Sequence, residues 1–299
     1  MSGRRIRYIL EELFCLLLRF SLIPRLLRDI YALRKVTIIN YHNPQCETFE
    51  RHLRFYERSY TLITMDQLAE ALSTGEWSSL PPRPLVITFD DGYAGNASLI
   101  NIMAKHNIPA VIYITAGLVN TNRKFWFHAI PQTSQTITEM ISINDQLRRD
   151  LLEKTYSHRD DREYEVRSVL NAEEIRSFIA AGCTVGSHTM FHPLLPKCTR
   201  ETAVYELAES KRLLEQLSGG TIRHFAYPGG KWNDMVKKRC QNAGYVTART
   251  IDIGWVTPKT DSFALPNFGI SDNAGLNKAI VQSSGLWDTI KQLIYCWKP

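Results

Sequence analysis

Two carboxylates in succession, Asp90 and Asp91, follow an apolar run and precede Gly92. Side chains of neighbouring residues point different ways, so one carboxylate can bind a metal while the other faces water or substrate. Taken alone, Asp-Asp-Gly reads as a turn. His188 and His192 stand four apart. Two histidines at that spacing can ligate one cation, and with Asp91 they make a set that leaves coordination positions open. Alone, they read as two surface histidines. Pro193 disfavours α geometry at His192, so a loop or an irregular turn is expected there. His42 also follows an apolar run and could protonate a departing amine, a structural histidine being the alternative. In residues 225–230, Phe-Ala-Tyr-Pro-Gly-Gly, the glycines let backbone approach a ligand, and an N–H there could hold an oxyanion; a strand-to-loop bend explains the motif equally.

The elements that must position these residues alternate. Short β-branched or apolar runs predict strands at 36–40, 85–89, 110–115, 184–187, 224–227 and 245–249. Helical patterns occupy 49–60, 64–72 with Thr64 as N-cap, 97–106, 172–181, 200–217 and 234–243. Such alternation predicts a parallel sheet with right-handed crossovers. The candidate residues stand just past strand ends, where barrel enzymes build their sites. The pattern does not separate a closed barrel from an open doubly wound sheet. Residues 118–165 fit no strand–helix unit and carry Phe125, Trp126 and Phe127; they read as a partly helical insertion.

In this order, the motifs resemble the polysaccharide deacetylases, the carbohydrate esterase family 4 or NodB-homology group. Residues 88–93 match the TFDDG motif and residues 186–194 the GSHTxxHP motif, within a resemblance running from about Val36 to Ile270. The resemblance implies an α/β fold, a distorted (β/α) barrel of about seven parallel strands. It implies hydrolysis of the N-acetyl group of an amino sugar in a glycan, with release of acetate. Asp90 matches the general base, and Asp91, His188 and His192 match the ligands of a divalent metal, commonly zinc. His42 looks like the early histidine that serves as general acid in the branch acting on poly-N-acetylglucosamine. Gly229 stands where an oxyanion-hole N–H is expected. Two features depart from the pattern. Ala226 occupies a position where many members carry an arginine that orients the base; Arg249 could supply that cation or be structural. The usual C-terminal histidine motif is absent, and residues 265–267, Leu-Pro-Asn, match only its frame.

The 299 residues, 44% hydrophobic, suffice for a large core. Residues 1–35 hold eight basic and three acidic residues and so carry +5 of the net +6. The rest is nearly neutral, unlike a nucleic-acid-binding body. We divide the chain into a basic amphipathic helical segment, 1–35, and a catalytic domain, 36–299. The segment is too short and too interrupted by charge to span a membrane, and no signal-peptide cleavage site is evident. It reads as a helix packed on the domain or on another copy, or as one lying on an anionic membrane. A cytoplasmic protein is expected, with peripheral contact on the inner membrane face as one of these two readings of the segment; the oligomeric state stays open. Six scattered cysteines without a CxxC pair read as mostly reduced. Competing functions are a carbohydrate-binding member without turnover and a hydrolase of small cyclic amides. An aspartate phosphatase would need Asp-x-Asp spacing and would leave the histidines idle.

Overall fold

The computed structural model describes the backbone of residues 3–296 and the side chains of residue 6 and residues 8–292. The side chains of Arg4, Arg5, Arg7 and Cys296 lie outside the described residues. Eight parallel strands run in chain order: β1 (Thr37–Tyr41), β2 (Thr61–Leu62), β3 (Pro84–Phe89), β4 (Val111–Ile114), β5 (Thr184–Ser187), β6 (His224–Ala226), β7 (Thr247–Ile253) and β8 (Leu265–Gly269). Seven of them close a ring, β1-β8-β7-β6-β5-β4-β3, sealed by β1 pairing with β3 from Thr37↔Leu85 to Tyr41↔Phe89. The two-residue β2 attaches to the start of β3, whose end pairs with β4. The closed barrel, rather than the open sheet, is therefore the architecture.

Strand alternation sorts the barrel's contents. Ile38, Val86, Val111, Tyr113, Ala226 and Leu265 fill one cluster with Met65 and Leu68. Their neighbours Ile39, Tyr41, Ile87, Phe89 and Ile112 belong to the larger cluster shared with the surrounding helices. With period two, Asn40 follows Ile38 inward, and Thr88 and Asp90 follow Val86. The interior thus grows polar toward the C-terminal end of the strands, where the candidate residues gather.

The helices Cys46–Ser59, Met65–Thr74, Ala172–Ala180, Arg200–Ser218 and Asp234–Asn242 lie within four residues of their expected bounds. Thr64 caps Met65–Thr74 in a reciprocal capping box with Gln67. The helix expected at 97–106 divides into a 3₁₀ segment, Ala94–Leu99, and an α-helix, Ile100–His106. The strand expected at 245–249 is shifted to Thr247–Ile253. Strands β2 and β8 and the helices Leu276–Ser283 and Leu286–Cys296 add to the pattern read from sequence. Residues 118–165 contain the helices Ser134–Ser142 and Asp145–Tyr156 over a separate small core of Trp126, Ile130, Met140 and Leu152. Helix Gly3–Phe20 packs along Leu276–Ser283. Among the described residues no helix is long and apolar enough to cross a membrane. The described cysteines are free.

Candidate metal centre and active site

Asp90 and Asp91 leave β3 in a tight turn. Asp91 adopts φ 69° and Gly92 φ 69°, with the Gly92 N–H donating to Asp90 O at 2.8 Å. Aspartate tolerates this left-handed geometry better than most residues. A Cβ on Gly92 would approach Ile114 to 3.1 Å. The turn sends the two carboxylates to different partners, as neighbouring side chains allow.

Asp90 is 5% exposed and turns inward. Its Oδ2 accepts from Asn40 Nδ2 at 3.0 Å, and its Oδ1 accepts from Arg249 Nη2. Arg249 is 1% exposed, donates to Thr250 O at 2.9 Å and lies over the Tyr113 ring. Burial alone would raise the Asp90 pKa; the Arg249 guanidinium, with His188 and His42, outweighs it and holds the carboxyl below its ordinary range. Arg249 on β7 lies directly in register with Ala226 on β6. The cation missing from position 226 thus reaches the same carboxylate from the adjacent strand.

Asp91 turns to the histidines. Its Oδ1 lies 3.4 Å from His188 Nε2 and 3.3 Å from His192 Nε2. His188 follows β5, and its Nδ1 lies 2.8 Å from Ala226 O, which leaves Nε2 facing Asp91. The loop beyond it is irregular, with Thr189 at φ 68° and His192 at φ 58°. Four contacts hold it: His192 N–H donates to Thr189 Oγ1 at 3.0 Å, Trp126 Nε1 donates to His192 O at 2.9 Å, and Met190 and Phe191 N–H donate to Glu206 Oε2 at 2.8 and 3.1 Å.

These three side chains fit a metal. One donor atom from each lies within 4.8 Å of the others. Ligand atoms about 2.0–2.1 Å from a tetrahedral zinc sit roughly 3.3 Å apart, matching the two Asp91–histidine separations. Asp91 Oδ1 is buried with no hydrogen-bond partner, the state expected of a ligand atom. Although burial opposes ionisation, both histidines hold Asp91 well below the usual carboxylate range. Burial lowers the His192 pKa, favouring the neutral form that ligates. His188 is pushed up, because Asp91 and Asp90 together outweigh its burial.

A cleft of about 320 Å³ opens over the centre and is lined by His42, Asp90, Asp91, His188, His192 and Gly229. Six of the seven sequence-predicted residues therefore meet at one opening, and Arg249 stands behind Asp90. His42 is exposed just beyond β1, and its own N–H and that of Asn43 donate to the two oxygens of Asp272 at 3.0 Å each. Gly229 and Gly230 have φ 57° and 64°. A Cβ on Gly230 would fall 2.5 Å from Ile251 N, so that position has no room for one. Tyr93, Trp126, Phe127, Leu194 and Ile251 supply an apolar wall.

Asn40, Glu206 and Asp272 escape the sequence reading. Asn40 does carry a signal, since it is a polar residue following Ile38 and Ile39 near the end of β1, on the side that faces into the barrel. Glu206 and Asp272 lie in a helix and a loop where acidic residues are unremarkable.

Comparison with known proteins agrees with this fold. A stretch of 248 residues is 21% identical to YxkH of Bacillus subtilis (strain 168), covering 79% of this chain and 72% of that one. A shorter stretch of 71 residues is 35% identical to the chitooligosaccharide deacetylase of Sinorhizobium fredii, covering 23% of this chain and 33% of that protein. The fold is similar to that of the Streptococcus pyogenes deacetylase PplD, solved in complex with acetate. The TM-score is 0.62 at 16% identity, over 83% of this chain and 98% of that one. The polysaccharide deacetylase family profile matches residues 78–248, more than half of the chain, and the protein belongs to that family.

Proposed function

We propose that the cleft hydrolyses the N-acetyl group of an amino sugar within a glycan, with zinc as the divalent metal held by Asp91, His188 and His192. The observation that carries this reading is the buried Asp90–Arg249 pair set beside that triad at the mouth of one cleft. The similarity to a chitooligosaccharide deacetylase supports an amino sugar as the substrate class. Residues 36–299 are read as the catalytic unit, with 118–165 supplying part of the cleft wall through Trp126 and Phe127.

A metal in this site supplies Lewis acidity, which polarises a carbonyl and acidifies water. Asp90, kept ionised by Arg249, takes a proton from the attacking water. The new C–O bond forms as charge gathers on the carbonyl oxygen, toward which the Gly229 N–H is the backbone donor. His42, exposed at the rim, gives a proton to the nitrogen as the C–N bond breaks. Acetate and the free amine leave. Acetate release from N-acetylglucosamine oligomers tests the reading. Chelation should abolish release and zinc should restore it; activity that survives complete metal removal would exclude the proposed centre.

A further inference from the structure

We infer that the apolar face of residues 6–31 docks on an anionic lipid layer and, taken with the proposed reaction, holds the cleft beside a glycan carried on that layer. Helix Gly3–Phe20 puts Ile6, Leu10, Leu13, Leu17 and Phe20 three or four residues apart, hence on one face. All five are exposed, Leu17 and Phe20 at 72% and 71%, and beyond the turn at Leu22 Ile30 is 70% exposed as well. A contiguous apolar surface of this kind marks an interaction site.

The other side of the helix is already occupied. Cys15 is buried with Val281 and Leu286, and Arg19 donates to Asn277 Oδ1 at 2.9 Å. Two of the acids turn toward the protein: Lys278 Nζ donates to Glu11 Oε2 at 2.6 Å, and a Cβ on Gly275 would meet Glu12 Oε2 at 2.5 Å; Asp29 lies between Arg28 at 2.7 Å and Arg83 at 3.7 Å. Arg25, 73% exposed by side chain, lies 3.4 Å from Asp29 and shares it with Arg28, so two cations face one acid there. Arg34 is exposed as well, and the segment's outer charge among the described residues is net basic. An apolar stripe flanked by basic charge matches an anionic lipid surface. Pairing two copies through the same stripe would instead bring two segments of +5 together.

Position connects this face to the chemistry. Tyr8 shares a cleft of about 420 Å³ with Asn43 and Asp272. Asp272 is the residue that fixes the backbone of His42 and Asn43. The early end of the helix thus abuts the rim on the His42 side, and a lipid layer under the stripe would lie next to the cleft. The substrate class this favours is an N-acetylated glycan joined to a lipid.

The test is flotation of the full chain with vesicles of phosphatidylcholine alone or mixed with phosphatidylglycerol. Binding should require the anionic lipid and fall at high salt. Leu17→Glu with Phe20→Glu should weaken it at least about tenfold, by losing two apolar anchors and adding like charge. The same variant should keep its thermal melting point and its acetate release from a soluble N-acetylglucosamine oligomer, since both residues point away from the barrel. Failure of the wild type to float overturns the docking, as does equal flotation of the variant. A dimer seen by light scattering that the double substitution splits, without vesicle binding, assigns the face to a second copy. Loss of acetate release in a chain that still floats counts against the proposed reaction and leaves the docking standing.

Discussion

Removing the Arg249 guanidinium would leave Asp90 buried beside Asp91 and the histidines with no fixed cation. Because Arg249 is the largest influence holding its pKa down against burial, Asp90 in Arg249→Ala should titrate higher. The acid limb of kcat/KM should then move to higher pH, and stability should fall by about 3 kcal/mol for an unpaired buried charge. Arg249→Lys keeps the charge and should recover part of both; a pH–rate profile unmoved in Arg249→Ala would deny the positioning role. His42→Ala should lower kcat by roughly 10²-fold, within the usual range for a lost acid. A normal rate would exclude His42 as the proton donor. At this scale, Asp90, Asp91, His188 and His192 are legible as candidates because they stand just past strand ends in the order of two family motifs; singly they read as a turn and two surface histidines. Asn40 and Asp272 are less so: their roles depend on partners 50 and 230 residues away in the chain, which no local pattern reveals.

The loop between His188 and His192 depends on elements outside it. Helix Arg200–Ser218 brings Glu206, and the insertion brings Trp126, whose ring lies under the Arg148 guanidinium. Burial pushes Glu206 up to about 7, against the lowering effect of the Phe191 and Met190 N–H groups. Its folded pKa exceeds the ordinary carboxylate value, so between those two values the folded state binds the proton more tightly. Its contribution to stability is present at low pH and is lost as pH rises through about 7. Glu206→Gln should therefore flatten that decline, with a melting point at pH about 8 equal to or above wild type. Glu206→Ala strands two loop N–H groups and should cost about 1–3 kcal/mol per group while weakening metal retention. Equal metal content in Glu206→Ala and wild type would show that the loop holds its shape unaided. Of the elements, the long helices are well read, because capping and hydrophobic spacing are local. Strand β8 is missed: Pro266 and Asn267 break its apolar run, and it is held by pairing with β1 and β7.

At the scale of the molecule, alternation of strand and helix leaves barrel and open sheet as alternatives, since closure is a long-range fact. It rests on β1 reaching β3 along five registered pairs and β8 along two. That closure brings Asn40 from β1, Asp90 from just past β3 and Arg249 from β7 together at one point. The division of charge between residues 1–35 and the rest is plain from the sequence, but the outward orientation of the stripe is not, because it depends on helix Leu276–Ser283 occupying the opposite side. The central claim is that the two adjacent aspartates have separate tasks, one basic and one ligating. The direct measurement is metal content together with acetate release for Asp90→Asn and His188→Ala. Asp90→Asn should retain the metal and lose turnover by at least roughly 10²-fold, whereas His188→Ala should lose both. An Asp90→Asn protein that loads metal and turns over like wild type would contradict the account.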